Sequence, residues 1–145
     1  MATDNIINGT LAVIKTGTDH ASATAVAFST SASISLSMDT RDISNKGSAG
    51  WRELLEAQMS WSASLEGLYA INDSGSSAVK NYDDLFDLLT GRESTFLELS
   101  TGVTGDFYYY GQVFLTSLEQ SAPMEDNMTF SATFEGTANL QKGTF

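Results

Sequence analysis

Apolar and polar residues alternate strictly along three segments of the chain. In 31–38, Ala32, Ile34, Leu36 and Met38 take one parity and Ser31, Ser33, Ser35 and Ser37 the other. In 59–66, Met59, Trp61, Ala63 and Leu65 oppose Ser60, Ser62, Ser64 and Glu66, and in 129–135, Phe130, Ala132 and Phe134 oppose Thr129, Ser131, Thr133 and Glu135. Successive side chains of a strand point to opposite faces, so this period of two predicts three strands, each with one apolar and one hydroxyl-rich face. Less regular strands are expected at 11–15, after the turn-forming Asn8-Gly9, at 23–28, at 95–99 and through the aromatic run 107–119. Seven or so short strands in one small unit predict a mainly antiparallel β-sandwich or barrel.

One segment keeps a different period. Val79, Tyr82, Leu85, Phe86, Leu88 and Leu89 recur at three and four spacing, with Asp83, Asp84 and Asp87 on the other side. This predicts a single helix over about 78–90 that flanks the sheet. Ser77 and Asn81 are both candidate N-caps, and Gly91 stands where a left-handed residue would end it.

Residues 39–58 fit neither pattern. Twenty residues of mixed polarity separate two clear strands and carry Trp51, Leu54 and Leu55, and loops of that length are uncommon in compact domains unless functional. Either the segment projects and a partner buries its apolar residues, or Trp51 folds back onto the core and 51–58 forms a short helix.

Composition narrows the function classes. The 145 residues suit one domain with a real core, at 41% hydrophobic residues. Only 17% are charged, yet 18 acids against 7 bases give a net charge of -11, which disfavours phosphate-rich ligands held by Lys and Arg. Ser and Thr together number 35, as expected of strands and turns. So few charges also hint at a subunit that buries several faces against its own copies. The N-terminus has no basic-then-apolar leader pattern and no segment approaches a membrane span, so a soluble, unprocessed chain is expected.

Candidate chemistry is sparse. The absence of cysteine excludes disulfides, thiol nucleophiles and thiolate metal sites. His20, the only imidazole, stands in a turn beside Asp19 with no nucleophile nearby in sequence and reads as an exposed loop residue. Asp83, Asp84 and Asp87 lack the six to eight oxygen ligands that calcium takes, and the glycine-containing turns at 73–77 and 101–106 lack the lysine and spacing of a phosphate-binding loop. No enzyme, metal or cofactor is expected. Rings in Phe107-Tyr108-Tyr109-Tyr110 point alternately to two faces, which favours packing over a stacking site.

Several segments in register resemble the major tail tube proteins of long-tailed, non-contractile bacteriophages and phage-like gene transfer agents. They are 28–37, Thr40-Arg41-Asp42-Ile43-Ser44-Asn45-Lys46 leading to Gly50-Trp51, 60–69, Tyr82-Asp83-Asp84-Leu85-Phe86, Thr116-Ser117-Leu118-Glu119, Ala122-Pro123 and Phe134-Glu135-Gly136-Thr137. The resemblance covers most of the chain. It implies a single tube domain over 1–145 whose hexameric rings stack into a hollow tube that conducts DNA from capsid to host cell. It also implies a tail terminator, a tail tip or distal tail protein and a tape measure protein as partners. Such a protein is assembled in the bacterial cytoplasm, resides in the virion tail, and takes no cofactor.

On that reading the 39–58 loop, with Arg41, Asp42, Lys46, Trp51, Leu54 and Leu55, docks onto the next ring, because a head-to-tail contact that does not close builds a filament. Ser33, Ser35, Ser37, Ser60, Ser62, Ser64, Glu66, Glu119, Thr129, Ser131, Thr133 and Glu135 are expected to line the lumen, where a wall without Lys or Arg lets DNA pass without binding. The same rows could instead coat the outside of the tube or form a seam between subunits. Two rival readings are the tube of a sheathed contractile or secretion particle, and a monomeric carbohydrate-binding sandwich using Tyr108 and Tyr110, or Tyr109.

Overall fold

The computed structural model describes residues 12–26, 29–69, 79, 80 and 82–144. The expected turns at Asn8-Gly9 and 73–77 and both helix N-cap candidates lie outside the described residues. Among the described residues nine strands and one α-helix follow in the order β1 Val13–Gly17, β2 Thr24–Val26, β3 Ser29–Asp42, β4 Leu54–Leu68, β5 Val79–Lys80, α1 Tyr82–Gly91, β6 Ser94–Ser100, β7 Phe107–Ser121, β8 Thr129–Gly136 and β9 Gln141–Thr144. All belong to one sheet of order β3-β4-β8-β7-β6-β1-β2-β5, with β9 beside the first residues of β7. Every pairing is antiparallel except β2 with β5.

The mainly antiparallel fold with one flanking helix agrees with the alternation in the sequence, and the sheet stays open. It is rolled, however. In a flat sheet β1 and β3 would stand five strands apart, roughly 24 Å at ~4.8 Å per strand, yet they touch. The roll gathers Ile14 of β1, Ala63 and Leu65 of β4, Leu97 of β6, Val113 and Leu115 of β7 and Phe130 and Phe134 of β8 into one core. Leu85 of α1 is fully buried against it, while Asp83 and Asp87 face out.

Trp61 closes one end of this core. Its indole lies over the bare backbone of Gly111 and Gly136, with a Cβ at Gly111 falling 2.6 Å from the ring. Its Nε1 donates to the Ala138 carbonyl at 2.8 Å, tying the segment after β8 to the middle of β4.

Three local expectations change. Val79, expected on the helix, pairs with Ala25 in β5, and the helix runs from Tyr82 to Gly91. Gly91 is the last helical residue and Arg92, at φ 55°, takes the left-handed position. Backbone N–H groups of Arg92 and Glu93 then donate to the Leu89 and Leu88 carbonyls. A left-handed conformation costs a residue with a Cβ about 1 kcal/mol, so Arg92→Gly is expected to raise the melting temperature by a few degrees. A lower melting temperature would mean that the Arg92 side chain makes a stabilising contact.

The third change is in 39–58, which is largely strand. Ladder pairing joins Thr40 to Glu56, Arg41 to Leu55 and Asp42 to Leu54, so only 43–53 forms the connection. The short helix 51–58 does not form: 54–58 belongs to β4. Backbone pairing across the hairpin holds a segment whose two exposed sides give no apolar periodicity.

Candidate functional site

The hydroxyl-rich parities of the sequence fall on a single continuous face. Directly paired residues in a sheet share a face, so the ladders can be read across. One row runs Ser31, Glu66, Ser131, Glu119; the next runs Ser33, Ser64, Thr133, Ser117; a third runs Ser35, Ser62, Glu135, Phe114. Ser37 and Ser60 form a fourth, on the hairpin alone, and Thr129 stands between Leu68 and Ser121. All twelve residues assigned to a lumen wall from the sequence therefore share one surface of β3, β4, β8 and β7.

A bulge makes this possible. Thr116 is inserted between Leu115 and Ser117, restoring the register so that Ser117 and Glu119 meet Thr133 and Ser131, and its hydroxyl donates to the Thr133 carbonyl at 3.1 Å. Hydroxyls also pair across the ladder, Ser33 with Ser64 at 2.6 Å and Ser37 with Ser60 at 3.0 Å. Such pairs hold small side chains flat against the sheet and contribute about 0.2–1 kcal/mol each. Glu66, Glu119 and Glu135 supply the charge of the face, and 29–38, 59–68, 112–121 and 129–136 contain no Lys or Arg.

The opposite face of the hairpin is apolar and emerges from the core as it leaves the body. Ala63 and Leu65 are buried and Trp61 is 5% exposed, whereas Met59, Leu36 and Met38 are at least half exposed. Beyond them Leu54, Leu55 and Ile43 are exposed, and at the tip Trp51 is 80% exposed. Trp51 does not fold back onto the core. The arm thus carries an exposed apolar surface of the kind found at contacts between proteins.

The tip that carries Trp51 is built by hydrogen bonds. Asn45 caps the 3-10 turn Lys46–Ser48, accepting from the Gly47 N–H at 2.7 Å, while the buried Ser48 hydroxyl accepts from the Asn45 N–H at 3.1 Å. Ala49 and Gly50 reverse the chain at φ 51° and 84°, and the Trp51 N–H donates to the Ser48 carbonyl at 2.9 Å. Ser44 and the Ile43 N–H join the two sides through Glu53. Hydrogen bonds from Ser44, with a smaller pull from Arg52, hold the Asp42 carboxyl below its ordinary pKa. Arg52 Nε lies 3.6 Å from Asp42, both side chains being exposed. Arg41, Asp42, Lys46, Trp51, Leu54 and Leu55 are thus brought together on one arm.

A long-range pair was missed by the sequence reading. Glu98 of β6 is fully buried, and His20 Nδ1 contacts its Oε2 at 2.5 Å. The imidazole stacks on Tyr108 at 4.5 Å with an interplanar angle of 8°. His20 is therefore not simply an exposed loop residue: it fastens the β1–β2 turn over the sheet. Separation of 78 residues hides such a pair from any local pattern. Of the aromatic run, Tyr108 and Tyr110 share a face and pack on each other, with Tyr110 also against Phe96, whereas Phe107 and Tyr109 are exposed.

Among the described residues no three His, Asp or Glu side chains converge on a metal position, and no helix is long and apolar enough to cross a membrane.

The family model for the phage tail tube protein matches residues 8–142. No curated protein sequence matches the chain. Among solved structures, the tail of an empty gene transfer agent particle, refined with C6 symmetry, aligns at a TM-score of 0.73 and 18% identity over 96% of this chain and 100% of that one. The SPP1 tail tube aligns at 0.75 and 14% over 97% and 80%. A chain of the sheath-tube complex of PVC, an extracellular contractile injection system, aligns at 0.69 and 16% over 98% and 94%.

Proposed function

The chain belongs to the phage tail tube protein family, and from that premise we propose that its copies close into six-membered rings which stack head to tail into a DNA-conducting tail tube. Its role is structural. Six is the number suggested by the C6 symmetry of the similar gene transfer agent tail. The observation that carries the conduit is the continuous hydroxyl and carboxylate face of β3, β4, β8 and β7, which we assign to the lumen wall. DNA binding depends on Lys and Arg displacing counterions from phosphate, and this face offers neither, so DNA slides past it without adhering.

The stacking contact is assigned to the β3–β4 hairpin. A long strand at the edge of a sheet exposes unpaired backbone groups, and β3 has no ladder partner on its outer side among the described residues. Within the body a neighbour in the same ring covers that edge; beyond it the apolar arm and Trp51 reach an adjoining ring. Such a tube would have a tail terminator, a tail tip or distal tail protein and a tape measure protein as partners and would be assembled in the host cytoplasm.

Replacing Ser33, Ser35, Ser62 and Ser64 together by Lys is expected to leave tubes that form but release DNA at least tenfold more slowly, with the defect relieved by added salt. Particles that assemble normally and eject at the unaltered rate would reject the lumen assignment. A sheath gene beside this one would move the assignment to the sheathed class of tube.

A further inference from the structure

The ladders place the hairpin tip and the β7–β8 turn at opposite ends of the same sheet. β4 starts at Leu54 beside the tip and ends at Leu68, which pairs with Thr129 just after the turn. Fourteen residue steps at ~3.3 Å put the two about 45 Å apart. These ends are complementary in two independent ways. Over 41–53 three of the chain's seven basic residues, Arg41, Lys46 and Arg52, stand with two acids, Asp42 and Glu53, a net charge of +1, while the turn 122–128 has Glu125 and Asp126 and no base. Each end also presents a large apolar side chain to solvent: Trp51 is 80% exposed and Met124 is 92% exposed.

Among the described residues both groups stand open to solvent, Trp51 at the end of the arm and Met124 on the turn. Met124 follows Pro123, and Glu125 holds a left-handed backbone at φ 63°, so the turn projects Met124 away from the body. Beside it a groove of about 290 Å³ is lined by Glu66, Glu119, Gln120, Thr129 and Ser131 among others, again without a base. Arg52 is already placed near Asp42, which leaves Arg41 and Lys46 to face a partner.

We propose that the hairpin tip of one copy seats on the β7–β8 turn of a copy in the adjoining ring, with Trp51 against Met124 and the Arg41 and Lys46 cations against Glu125 and Asp126. This rests on the reading of the hairpin as the ring-to-ring contact and adds the surface that receives it. A tip and a receiving surface at opposite ends of one subunit make a heterologous contact, which repeats indefinitely and gives the tube a direction. Complementary charge at the two ends also opposes head-to-head stacking, where like charges would meet.

Because the chain has no cysteine, a K46C/E125C variant carries the only two thiols. Oxidised as assembled tubes, it is expected to give a ladder of cross-linked multimers on a non-reducing gel, and each single variant only dimers at most. Tubes that form without the ladder overturn the proposal. If K46C/E125C makes no tubes, charge reversal decides. R41E/K46E and E125K/D126K are each expected to raise the protein concentration needed for tubes at least tenfold with unchanged melting, and the fourfold variant to return to within about threefold of the parent.

Failure of the fourfold variant, or normal assembly of E125K/D126K while R41E/K46E fails, places the receiving surface elsewhere and overturns the proposal, leaving the hairpin contact standing. Replacement of 43–53 by a two-residue Asn-Gly turn separates the two readings: unchanged tubes from that variant reject the hairpin contact itself.

Discussion

Trp51→Ala is expected to yield folded protein that makes rings or smaller species but no tubes at concentrations where the parent chain polymerises. The side chain is 80% exposed, so truncation removes little area buried within the subunit and the melting temperature of the unassembled protein stays within about 1 °C of the parent. In a contact between subunits the same indole becomes a central anchor, and truncating such an anchor costs about 2 kcal/mol or more. That is roughly a thirtyfold rise in the concentration needed for each contact, repeated around every ring. Negative-stain microscopy over a concentration series, with molecular mass by size exclusion in parallel, reads the outcome. Tubes of normal length at parental concentration would remove Trp51 from the contact.

Gly136→Val is expected to destabilise the subunit itself strongly. A Cβ at Gly136 falls inside the Trp61 indole, and the ring cannot withdraw without losing its hydrogen bond to the Ala138 carbonyl. Overpacking of this kind costs about 1–3 kcal/mol and more when backbone must shift; the Val methyls add to it, so about 3 kcal/mol is expected. For a chain of this length that lowers the melting temperature by roughly 10 °C. Trp61→Ala, which opens a cavity and leaves the Ala138 carbonyl without its donor, is expected to cost about 3–5 kcal/mol.

Combining Gly136→Val with Trp61→Leu should cost less than the sum of the separate changes, because the smaller side chain makes room for the new one. Additive losses would show that the two residues do not constrain each other. The site matters beyond stability. Trp61 is the last buried residue of β4 before the arm emerges at Met59, so it anchors the hairpin where it leaves the core.

Legibility in the sequence followed burial. The apolar parity is buried at Trp61, Ala63 and Leu65 and at Phe130, Ala132 and Phe134, and a strand with one wet and one dry face must write a period of two into its residues; Leu36, Met38 and Met59 carry the same period out onto the exposed arm. The arm has no dry face within the subunit, so Asp39 to Asp42 and Leu54 to Gln58 resemble a loop until the hairpin ladder is seen. β9, four residues including a glycine on a sheet edge, carries no pattern either. At the end of α1 the expected glycine rule was displaced by one residue, Arg92 taking the left-handed turn.

The sequence alone determined the faces: serines and threonines at every second position, carboxylates among them, no base, and a tryptophan stranded in a polar segment. It could do so because alternation and composition are local properties, read without knowing which strands are neighbours. Only the tertiary structure decided that the hydroxyl rows join into one wall, since that depends on the order β3-β4-β8-β7 and on the bulge at Thr116. The tertiary structure also set tip and turn at opposite ends of the sheet and brought His20 to the buried Glu98. Contacts between distant segments depend on how the sheet rolls, and the roll is fixed by the packing of side chains from many strands at once.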